Sequence, residues 1–174
     1  MSSVALTTAC ADSDTPAINR AANGVQSNAS RNMNQSTAQN PEVKTDPASL
    51  GKIINLPVRP SEVQWTEEIF DNSKGTVPGP SDQRLAALLK FDEKGTAELV
   101  RKLAAETSEK SIGGADVKAW FPDEVKNAAK TTDGRTKIEG AKYSPTAFYS
   151  ASYRNGNLIR VGETDYFILN LTSF

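Results

Sequence analysis

The chain has 174 residues, 20 Lys and Arg against 21 Asp and Glu, one cysteine and no histidine. The missing histidine removes the commonest general base and the commonest metal ligand. The lone Cys10 excludes an intramolecular disulfide and puts Cys/His zinc sites out of reach.

The residues are unevenly spread. All twelve aromatics lie after residue 64. Large aromatics supply much of the buried area of a core, so the first fifty residues have little with which to build one. Residues 11–49 are rich in Asn, Ser, Thr, Gln and Ala, and Ile18, Val25, Met33 and Val43 follow no helical or strand period. Such a composition buries too little apolar surface to offset the entropy of ordering. It reads as a disordered, flexible tether. The expected organisation is a lead segment and tether over residues 1–50 and a single domain over 51–174. Within 51–174 the 17 basic and 17 acidic side chains cancel, which gives nucleic-acid binding no support. No apolar run approaches the ~18 residues of a membrane span.

The first ten residues contain Leu6-Thr7-Thr8-Ala9-Cys10. This stretch resembles the lipobox of bacterial lipoproteins, where small residues precede a cysteine that is lipidated and becomes the mature N-terminus. Ala9 and Thr8 fit the pattern, while Thr7 stands where a leucine is usual and Leu6 lies one place earlier. The resemblance implies lipidation of Cys10, membrane attachment only through that lipid, and an address in the cell envelope. Ala11 occupies the position where an Asp favours inner-membrane retention. The implied address is therefore the periplasmic face of the outer membrane.

Residues 50–60 hold Ile53, Ile54 and Leu56 near two prolines, and read as an extended entry segment docked on the domain. Glu62–Phe70 alternates, with Val63, Trp65 and Ile69 on one face, as a half-buried strand does. Residues 71–80 are a Gly- and Pro-rich loop. Gln83–Phe91 presents Leu85, Ala87, Leu89 and Phe91 at period two and reads as a second strand. A helix follows over about residues 93–108, with Thr96 as a cap and Leu99, Val100, Leu103 and Ala104 on one face. Residues 116–130 suggest a second helical region that Pro122 interrupts, and residues 131–142 read as a loop. Asn155-Gly156 is a strong type I′ hairpin signal, which pairs a strand at 148–154 with one at 157–161. The last strand, 166–173, has Phe167, Leu169 and Leu171 on its core face.

These elements predict an α+β fold: a mainly antiparallel sheet of about five strands, ordered β-β-α-α-β-β-β, with two helices packed on one face. In that register Tyr149, Tyr153 and Arg160 share a face and form the candidate binding patch, since Tyr and Arg favour interface hot spots. Glu67 and Glu68 are adjacent on a strand and point to opposite faces, so they make no carboxylate dyad. No G-x-S-x-G, G-x-G-x-x-G or Walker loop occurs. No catalytic residue, metal site or cofactor is therefore expected. The reading is an envelope-associated binding or interaction module whose partner is a protein or small ligand. Two alternatives stand beside it: an inhibitor or immunity-type protein that blocks a periplasmic enzyme, and a carboxylate-dependent hydrolase.

Overall fold

The computed structural model describes residues 41–70, 82–106, 111–132 and 134–173. All belong to one unit, Thr37–Phe174. Cys10, the lipobox-like segment and the expected tether up to residue 40 lie outside the described residues, as does the expected loop at 71–80.

The packed residues begin before residue 51. Asp46 caps a short helix, α1 (Pro47–Leu50), by accepting from the N–H groups of Ala48 and Ser49 at 3.0 Å each, with proline in the first turn. A carboxylate suits that place because the first-turn N–H groups have no partner inside the helix. Leu50 is fully buried, and Ile54 follows it into the core. The entry segment at 50–60 follows this capped helix as a turn at 51–53 and then irregular chain, and it docks on the domain through Ile54.

Strand β1 (Glu62–Phe70) pairs antiparallel with β2 (Asp82–Lys90), Trp65 opposite Ala87. The expected period-two face of β2 is real: Leu85, Ala87 and Leu89 are all buried with Val63 and Trp65. Ile69 shares that parity but is exposed. Helix α2 (Glu93–Glu106) buries Leu99 and Leu103 over this face. Its cap is Asp92, whose Oδ1 accepts from Gly95 N at 2.6 Å. Thr96, expected as the cap, is instead buried one turn inside the helix.

Beyond α2 the chain departs from expectation. β3 (Ser111–Asp116) is a strand, α3 (Asp123–Lys126) is a single turn, and β4 (Ala129–Thr132) and β5 (Arg135–Tyr143) occupy the expected loop. No strand forms at 148–154; a 3₁₀ turn spans Thr146–Phe148. β6 (Asn155–Val161) already contains Asn155-Gly156, which pair with Thr172 and Leu171 of β7 (Tyr166–Thr172). The Asn-Gly hairpin is therefore not formed. Gly156 serves a close approach instead: it has φ 154°, and a Cβ there would collide with the Asn170 carbonyl oxygen.

The result is a seven-stranded antiparallel sheet in the order β1-β2-β7-β6-β5-β3, with β4 beside β6 on the same edge of β5. The α+β, mainly antiparallel expectation holds, but with seven strands rather than about five. The helices do not share one face. α1, α2 and Phe148 cover one face, while Val125 of α3 and Phe121 just before that helix pack with Leu88, Ile159 and Ile168 on the other. No helix among the described residues is long and apolar enough to cross a membrane.

Candidate interaction surface

The three residues of the expected patch do not meet as one exposed surface. Tyr153 is fully buried, and its hydroxyl donates to Glu67 Oε1 at 2.6 Å. Burial, and then the Glu67 carboxylate, raise the Tyr153 hydroxyl well above the ordinary phenol range. Tyr149 is half-buried against the core. Arg160 is committed to its own turn: Nε donates to Thr164 O at 2.8 Å and Nη2 to Glu163 O at 3.2 Å. Tyr153 and Arg160 thus hold segments together, Tyr153 across 86 residues of sequence and Arg160 within the β6–β7 turn.

A groove of about 490 Å³ lies beside Arg160 and α2, lined by Arg101, Thr96 and Val100 and by the carboxylates of Glu93 and Asp165. Its two arginines and two carboxylates leave no net charge to select a ligand. Among the described residues no group of three or more Cys, Asp or Glu side chains could hold a metal ion.

The open feature is the far edge of the sheet. β3 reads Ser111-Ile112-Gly113-Gly114-Ala115-Asp116, and β5 pairs with one side of it only. Among the described residues nothing pairs with its other side. Alternate residues of an edge strand turn unpaired N–H and C=O groups outward. Ile112 is 81% exposed, more than any other large hydrophobic residue described. Proteins usually blunt such edges with lysine, proline or a bulge; the sequence of β3 has no lysine and no proline.

Residue parity defines what flanks this edge. Ala115 points into the core, so Ile112, Gly114 and Asp116 lie on the opposite face. There they stand beside Ala141, Glu139 and Lys137 of β5. Lys130 and Thr132 of β4 continue the same face opposite Lys137 and Arg135. Lys130, Thr132, Arg135, Lys137 and Glu139 line a depression of about 370 Å³. Lys130 reaches Glu139 only at 3.9 Å. Neither Arg135 nor Lys137 has an ion-pair partner among the described residues.

Two glycines shape this corner. At Gly140 a Cβ would collide with the Arg160 carbonyl oxygen, so β5 and β6 approach there only because the side chain is absent. At Gly114 a Cβ would lie 3.3 Å from Lys137 Cδ. The lysine stem therefore leans diagonally from β5 toward Gly114 of β3. Sequence reading assigned no element between the helix at about 93–108 and residue 116 and so missed this surface; the one available signal was the bulky Ile112 beside Gly113-Gly114. Comparison with known protein families, with curated proteins and with solved structures finds no match.

Proposed function

We propose that the domain is a non-catalytic protein-interaction module that captures an extended segment of a partner by adding it as a strand to β3. One observation carries this reading: an edge strand without lysine or proline that presents an isoleucine 81% exposed. Strand addition supplies main-chain hydrogen bonds for affinity and uses alternate side chains for selectivity. Residues 111–116 offer one pairing edge and one apolar anchor. The polar composition of residues 11–40 and the lipobox-like Leu6–Cys10 support an envelope-tethered version of this module, in which a lipid holds the membrane and the tether gives reach. Mass spectrometry of the protein from membranes of its host, with acylated Cys10 as the expected species, tests the anchor.

The module itself is tested by displaying random linear peptides against the full chain and counter-selecting on Ile112→Lys. Enriched peptides are expected to slow amide hydrogen exchange at residues 111–116 and to lose binding to the variant. Peptides that bind both proteins equally, or that protect a different strand, would overturn the reading.

A further inference from the structure

The same surface specifies what the added strand carries. Resting on the strand-addition reading, we infer that the partner segment runs antiparallel to β3 and holds an acidic residue two positions before an apolar one, with the acidic side chain under Lys137 and the apolar side chain on Ile112.

The argument follows from the pleat. Residues two apart on a strand share a face. Ile112 and Gly114 are such a pair, on the face away from Ala115. A strand laid along β3 places one side chain beside Ile112 and another beside Gly114 on that face. The first meets an aliphatic side chain that is 81% exposed and gains by covering it. The second meets no side chain from Gly114 itself, only the Lys137 stem, whose Cδ lies 3.3 Å from where a Cβ on Gly114 would stand. Arg135 and Lys130 stand behind that lysine, against Glu139 and Asp116 on the same face. With the lining of the depression and Asp116 counted together, this face carries three cations against two carboxylates, an excess of one positive charge. An acidic side chain is the complement.

Every pairing in this sheet is antiparallel. The antiparallel ladder is also the slightly more stable of the two per residue. In that direction the residue opposite Gly114 precedes the residue opposite Ile112 by two, giving acidic-x-apolar from N- to C-terminus. The same charge pattern argues against a second copy of this chain as the occupant. Two β3 strands joined edge to edge, Gly113 facing Gly113, would bring the two Lys137 side chains and the cations behind them onto one continuous face. Like charges placed side by side across a sheet are destabilising.

The test uses the full chain and three blocked peptides that differ only at their centre within a threonine background: Glu-Thr-Ile, Gln-Thr-Ile and the reversed Ile-Thr-Glu. The Glu-Thr-Ile peptide is expected to bind about two- to fivefold more tightly than Gln-Thr-Ile at low salt, the range of an exposed ion pair. The advantage should shrink in molar salt, where screening falls to a few ångströms. It should also disappear in Lys137→Gln, an exposed substitution that leaves the fold intact, and be smaller for the reversed peptide. Equal binding of the Glu and Gln peptides, with residues 111–116 protected by both, would sink the acidic preference and leave strand addition standing. Equal binding of the forward and reversed peptides would sink the antiparallel direction. Protection of other strands by all three peptides would sink both proposals together. A dimer by sedimentation that Ile112→Lys dissolves would replace the peptide partner with a second copy.

Discussion

The two outer strands of this sheet have opposite fates. At β1 the outer edge is closed at its middle. Lys44 N donates to Trp65 O at 2.8 Å and Trp65 N donates to Lys44 O at 2.9 Å. The Lys44 ammonium sits 4.6 Å from the centre of the indole ring, so one residue satisfies the edge and stacks on its aromatic side chain. At β3 nothing among the described residues does either job. The difference lies in the side chains. Trp65 and Val63 on β1 are large, buried and covered by the chain that precedes them. β3 has two glycines and a single buried alanine, so it fastens to the core through Ala115 and leaves Ile112 outside. A closed edge serves stability; an edge without a partner among the described residues is what the proposed strand addition would use.

Four substitutions break or sharpen this contrast. Trp65→Ala strikes the closed edge hardest. It empties a fully buried aromatic site and removes the surface under Lys44, and it is expected to cost about 3–5 kcal/mol, read from the midpoint of urea unfolding. Gly156→Ala forces a methyl group toward the Asn170 carbonyl at φ 154°, for an expected loss of about 2–3 kcal/mol on the same assay.

Tyr153→Phe removes the bond that ties residue 153 to Glu67 on β1, with an expected cost of about 1–2 kcal/mol. This variant also changes the pH profile. The folded state holds the Tyr153 hydroxyl protonated, since burial and Glu67 raise its pKa. Tyr166 is raised too, by burial and then by Glu124, against an opposing effect of Lys90. A phenol raised on folding contributes stability that is complete below the unfolded value of about 10 and is lost as pH climbs past it. Urea stability of the parent chain is therefore expected to fall above about pH 10, and to fall less steeply in Tyr153→Phe. An identical decline in both proteins would remove Tyr153 as a cause.

Ile112→Lys has the smallest expected effect on stability, within about 0.5 kcal/mol, because the side chain it replaces already stands in water. A large loss of stability would show that Ile112 is packed against something in solution, and the two edges would no longer differ in kind.

How much of this was legible varies by strand for physical reasons. β1, β2 and β7 each set one face against the larger core, so apolar residues at period two had to appear, and they did at Val63, Leu85 and Phe167, although Leu88 and Ile168 are buried on the other face as well. β5 was invisible because Ile138 is its one fully buried side chain among Arg135, Lys137, Glu139 and Lys142, which removes the alternation. Asn155-Gly156 misled because glycine answers two needs: a turn with positive φ and a backbone approach too close for a side chain. The local sequence is the same for both, and here the approach to Asn170 decides. The Tyr149, Tyr153 and Arg160 patch was drawn from that hairpin, in a register that β6 does not adopt, and Tyr153 is buried.

By itself, the order of residues determined where a core could be built and the identity of its covered strands, because burial of apolar area is additive along the chain and leaves a period that can be read. Only the tertiary structure decided which strands became neighbours, which edge closed, and that Lys137 of β5 leans toward Gly114 of β3. Those outcomes depend on contacts between residues far apart in sequence, and a strand records the side chains it buries, not the neighbour it lacks.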